Sequence, residues 1–150
     1  MAHARRKLFE AHQLNASKIA AQAVVLIAEL YEIEREAQGL DPDARLLLRQ
    51  QRARPVADAL HTWLTPQRQM LAKADVTAKA IDYSLSNWPA LTRYLDDGHV
   101  PIDNNAAENS IRPLAIGRKN RLFVGSQQAG ERAAVIMSRI ESAKLNGYDP

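Results

Sequence analysis

Apolar residues recur at three- and four-residue spacing through most of this chain, and that period commits it to helices. Ile19, Ala23, Ile27, Leu30 and Tyr31 form one stripe; Ile81, Leu85 and Trp88 form another. Residues so spaced stack on a single helix face, which must be buried against a neighbour. The stop and start signals agree. Ser17 is placed to cap a helix running to about Gln38, with Gly39 as its C-cap. Asp41 followed by Pro42 starts the next, with proline at the first helical position. That helix carries Leu46, Leu47, Val56, Leu60, Trp63 and Leu64; Pro55 should kink or split it, and Pro66 lies in or near its end. A further helix is predicted over about 77–88, bent by Pro89 ahead of Leu91, Tyr94 and Leu95, with Asp97 and Gly98 marking a turn. A short first helix over 3–13 puts Leu8, Phe9 and His12 near one face, and the last runs from about Gly130 to Asn146. Residues 121–125 suit one short strand. The predicted fold class is therefore mainly α, a helical bundle with at most one or two short strands. The stripes read as core, and Trp63 and Trp88 as packing anchors.

Length and composition set limits. A chain of 150 residues is large enough for one real core, and 46% apolar content excludes wholesale disorder. No cysteine is present, which rules out disulfides and thiolate metal sites. The longest purely apolar run, Ala23 to Ala28, is far too short to span a bilayer. The four histidines, His3, His12, His61 and His99, have no paired metal-ligand spacing.

Chemistry concentrates after residue 102. Asp103 is followed by Asn104 and Asn105, either able to cap a helix, and then by Glu108 on the first turn. Backbone N–H groups point outward there and the helix dipole favours negative charge. Two readings of Glu108 stand. Three residues beyond Asn105, it fits a capping box and folds back on the backbone. Close to the second carboxylate of Asp103, it fits a metal ligand. The net charge is only +3, but its distribution is uneven. From 109 to 144 there are seven basic residues, Arg112, Arg118, Lys119, Arg121, Arg132, Arg139 and Lys144, against Glu131 and Glu141. A basic stretch beside a carboxylate is what a metal-dependent nucleic-acid enzyme needs.

The runs Tyr94 to Gly98, Ile102 to Asn109, Arg112 to Asn120 and Ser142 to Gly147 resemble bacterial transposases of the insertion sequence 66 family, and the opening Ala2 to Ala11 is similar to that family's segment after its second catalytic aspartate. The resemblance covers essentially the whole chain; its 102–120 block is the most specific. It implies a ribonuclease H-like catalytic domain with an Asp-Asp-Glu triad whose final glutamate matches Glu108. The two aspartates lie upstream in the family, so the chain looks like the C-terminal part of such an enzyme, expected to be inactive alone. Arg121 stands where the family usually has tryptophan. The implied organisation is a helical insertion over about 12–95 and the remainder of the catalytic domain over about 96–150. The implied cofactor is Mg²⁺ or Mn²⁺ in the full enzyme, with none expected on this part, and with Glu108, and at most Asp103, as ligands. Arg112, Arg118, Lys119 and Arg121 are the implied DNA contacts. Implied partners are DNA, as terminal inverted repeats and target, together with self-association or the enzyme's N-terminal part, in the bacterial cytoplasm and not on a membrane. The alternatives are a non-catalytic helical DNA-binding or regulatory fragment, and an inert remnant of a decayed element.

Overall fold

In the computed structural model the described residues are 1–105, 108, 109, 112 and 126–148. They fall into two compact units, 1–103 and 104–150. The first is a bundle of α1 (Ala2–Asn15), α2 (Lys18–Glu36), α3 (Pro42–Leu48), α4 (Arg54–Gln69), α5 (Val76–Ser86) and the short α6 (Trp88–Thr92), closed by a 3₁₀ turn over Arg93–Asp96. In the second, α7 spans Gln127–Leu145. No strand occurs among the described residues, and the mainly α expectation holds. The strand expected over 121–125 lies outside the described residues.

Local chemistry sets the helix limits. The Ser17 hydroxyl accepts from Ala20 N–H at 3.2 Å, capping α2 as expected. The Asp41 carboxylate takes the N–H groups of Asp43 and Ala44, with Pro42 opening α3. Asp75 does the same for α5 through Thr77 and Ala78. The helix expected over 77–88 breaks at Asn87, and Pro89 sits in the first turn of α6 rather than bending α5. α2 ends earlier than expected, with Ala37 as its C-cap; Gly39, at φ +87°, lies two residues further on. α7 starts at Gln127, before Gly130, because the Ser126 hydroxyl caps it through Ala129 N–H. It stops in a Schellman motif, Tyr148 N–H to Ala143 O and Gly147 N–H to Lys144 O, which requires the positive φ of Gly147.

Pro55 acts as expected, by an unexpected route. Residues Arg49–Ala53 form a π-helical turn in which Arg54 N–H donates to Arg49 O, five residues back. Proline has no N–H to give and its ring crowds the carbonyl four residues earlier, so widening the turn before it relieves both problems. The wider turn carries Arg49 inward.

The core of the first unit runs through Leu8 and Ala11 of α1, Ala23, Ile27 and Leu30 of α2, Leu60 and Leu64 of α4, Ile81 of α5, and Tyr94 and Leu95. Trp63 and Trp88 pack against it as expected, and the Trp88 ring meets that of His61 at 4.9 Å. Two large apolar side chains of these helices face outward. Phe9 is 47% exposed, because Ala4, Leu8 and Ala11 take the buried side of α1. Leu47 points to solvent, while its neighbour Leu48 takes the side of α3 that packs on the core. In the second unit, Val135 and Ile136 of α7 are more than half exposed.

Candidate functional site

The segment 94–103 leads into the glutamate helix and is held carbonyl by carbonyl. The Arg49 side chain is 1% exposed. Its Nη1 donates to the carbonyl oxygens of Tyr94, Asp97 and Val100 at 2.9, 2.8 and 3.0 Å. Its Nε and Nη2 grip both oxygens of Glu34 on α2, the Nε bond at 2.9 Å. Gln50 donates to Leu95 O at 2.6 Å, and Arg45 to Gly98 O at 3.0 Å. Three side chains thus satisfy five backbone carbonyls within seven residues. Gly98 itself lies so close to α3 that an added Cβ would sit 1.9 Å from Pro42 O. A glycine is required there by proximity. The Tyr94 hydroxyl is buried with no hydrogen-bond partner among the described residues.

The held segment ends at Asp103. Its half-buried carboxylate accepts from the Tyr31 hydroxyl of α2 at 3.0 Å, 72 residues away in sequence. Burial raises Tyr31 above the ordinary tyrosine pKa, and the bond to Asp103 adds to the effect. The Met1 amino group donates to Ile102 O at 3.0 Å; burial lowers its pKa and the Asp103 charge partly offsets this. Tyr31, Glu34, Arg35, Arg45, Ile102 and Asp103 line an open cleft of about 420 Å³.

Beyond Asp103, residue 105 is the first in helical conformation, and Glu108 N–H donates to Asn104 O at 2.8 Å. The residue whose carbonyl accepts the first intrahelical bond is the cap, so Asn104 holds that position rather than Asn105. Glu108 is then one residue past the position a capping box uses. Its side chain is half-buried, on the first turn as expected. Arg112 is exposed. Arg118, Lys119 and Arg121 lie outside the described residues. Among the described residues no three His, Asp or Glu side chains come together as a metal site. None of their helices is long and apolar enough to cross a membrane.

Sequence reasoning missed the Arg49–Glu34 pair and the Tyr31–Asp103 bond. An arginine in a polar run reads as surface, and a tyrosine in an apolar stripe reads as packing, with nothing local to name a partner for its hydroxyl. The one signal available was Pro55, which forces the turn that carries Arg49 inward.

A family model described as Transposase IS66 family matches residues 1–132. Three proteins of Sinorhizobium fredii, each described as an uncharacterized protein, are similar over nearly the full chain. y4hP is 43% identical over 99% of this chain and 29% of its own length. y4jD is 42% identical over 100% of this chain and 29% of its own. y4qI is 36% identical over 99% and 28%. The chain therefore spans less than a third of the length of these relatives. No solved structure matches it.

Proposed function

The chain belongs to the transposase IS66 family, and on that premise we propose that it is the C-terminal part of a DDE transposase that cleaves and joins DNA strands in the movement of a bacterial insertion sequence. Residues of about 12–95 are then a helical insertion, and about 96–150 the remainder of a ribonuclease H-like catalytic domain. The observation that carries the reading is Glu108 on the first turn of a helix, reached through a segment pinned at Tyr94, Leu95, Asp97, Gly98, Val100 and Asp103.

The donor chemistry fits a divalent ion in kind. Glu108 offers hard carboxylate oxygen, the ligand type that Mg²⁺ and Mn²⁺ take. It falls short in number, since Asp103 alone stands near in sequence and its carboxylate already accepts from Tyr31. Two divalent ions, when bound by a complete triad, activate the attacking hydroxyl and stabilise the leaving oxygen of an in-line displacement at phosphorus. This chain's own share is to present Glu108 and to hold DNA. Arg112, Arg118, Lys119 and Arg121 are the proposed phosphate contacts, whose positive charge neutralises the backbone and releases counterions. The proposed partners are terminal inverted repeats, target DNA and the rest of the enzyme, in the cytoplasm.

Strand cleavage tests the reading. A duplex carrying the element's end should stay intact with the isolated chain and Mg²⁺ or Mn²⁺. It should be nicked by the longer protein with the upstream segment restored. A longer protein that leaves the duplex whole, under conditions where it binds it, contradicts the reading.

A further inference from the structure

Helix α1 carries Arg5, Arg6 and Lys7 in succession, all exposed, with Glu10 as its one acid. Six of the seven other arginines of the 1–103 unit are engaged by carboxylates or backbone carbonyls, and exposed Arg93 is outside the described ion pairs. Arg35 pairs with Glu32, Arg52 with Glu36, Arg54 with Asp96 and Arg68 with Asp82. Arg49 and Arg45 are engaged by Glu34 and by backbone carbonyls. No described ion pair neutralises the three cations of α1. Two of them lie over rings instead: the Arg5 guanidinium is 6.0 Å from the Tyr31 ring centre, and the Lys7 amine 4.9 Å from that of Tyr83.

A run of cations is by itself a solvated face, and an exposed phenylalanine by itself means little. Here the two coincide. At about 100° per residue, Phe9 projects between Arg5 and Arg6, away from the side buried through Ala4, Leu8 and Ala11. Two unneutralised guanidinium groups flanking a half-exposed ring complement a strand that is both polyanionic and lined with flat bases.

We propose that this face of α1 is a second DNA-binding surface, in which Arg5 and Arg6 bind backbone phosphates and Phe9 stacks on an unpaired base at a strand end. The identity of the polyanion rests on the transposase reading; the surface itself rests on charge, exposure and spacing.

Fluorescence anisotropy on the 150-residue chain tests it, with a labelled duplex and a labelled single strand titrated at several salt concentrations. The residues changed are exposed, so far-UV circular dichroism should match the parent. R5Q/R6Q should reduce the slope of log affinity against log salt by about 1.8 on duplex, near 0.9 for each phosphate that is no longer neutralised. Phe9→Ala should weaken single-strand binding about tenfold and leave duplex binding within about twofold, because only an open base can stack. An unchanged slope in R5Q/R6Q, equal effects of Phe9→Ala on both DNAs, or no DNA binding by the parent overturns the proposal. The transposase reading fails separately, through Glu108 and strand cleavage. Loss of cleavage in Glu108→Gln with normal α1 variants would leave that reading standing and the surface refuted. The reverse pattern would leave the surface and remove the reading.

Discussion

Arg49 holds Tyr94 twice: its guanidinium lies 5.2 Å from the centre of the Tyr94 ring and donates to the Tyr94 carbonyl oxygen at 2.9 Å. The same side chain reaches Glu34, Asp97 and Val100. α2, the π turn and the segment entering the glutamate helix therefore share one buried charge. Removing one partner of a buried ion pair typically costs about 3–5 kcal/mol, because the other is left uncompensated.

Arg49→Ala should lose stability on that scale in denaturant unfolding, since it leaves Glu34 and three carbonyls without their donor. Glu34→Gln, which keeps a hydrogen-bond acceptor, should lose less. Equal and small losses in the two variants would show that the clamp does not hold the segment.

Gly98→Ala should destabilise by about 1–3 kcal/mol, the usual range for overpacking. The new methyl group would meet the Pro42 carbonyl oxygen at 1.9 Å, which is backbone at the start of α3. Thermal unfolding measures this; an unchanged midpoint would mean that the turn does not pack on α3.

Tyr94→Phe should stabilise the protein. It removes a buried hydroxyl without a described partner, and such groups cost about 1–3 kcal/mol. Burial raises the Tyr94 pKa above 10.0, with Glu34 adding to the rise. The unfolded chain thus releases this proton at lower pH than the folded one. The stability contribution is complete below about pH 10 and is lost as pH climbs above it. Denaturant midpoints of the parent should fall through that range more steeply than those of Tyr94→Phe. Parallel curves would contradict the assignment.

Changing Arg118 and Lys119 together to Ala should weaken DNA binding and flatten its salt dependence by about 1.8 in log–log slope. Anisotropy titrations of parent and double variant at several salt concentrations check this. Identical slopes would remove the 118–119 pair from the DNA-binding surface.

Much of the fold was legible because its signals are local. Ser17, Asp41 and Pro42 act on backbone groups two or three residues away, and the stripe through Ala23, Ile27 and Leu30 is a period of one helix. Misplaced limits came from competing local signals. Gly130 reads as a helix start, yet the Ser126 hydroxyl fixes α7 earlier. Hydrophobicity alone places Phe9 inward, whereas the small Ala4 and Ala11 allow α1 to approach closely with Leu8 between them. The site was less legible because its bonds are distant. Tyr31 and Asp103 are 72 residues apart, and Arg49 and Val100 are 51. No window of sequence contains either pair. Glu108 stood out through its motif, and the structure adds that Asn104 rather than Asn105 caps its helix.

At the centre of the proposed function stands Glu108, proposed as the final carboxylate of a catalytic triad rather than a helix-capping group. The most direct measurement is strand cleavage by the longer protein carrying Glu108→Gln, alongside its unfolding free energy. Glutamine can still accept and donate hydrogen bonds at a helix terminus but is a poor ligand for a hard divalent cation. The expected result is loss of cleavage with stability within about 0.5 kcal/mol of the parent, below the usual cost of a lost cap. Full cleavage by the Gln enzyme would contradict the central claim.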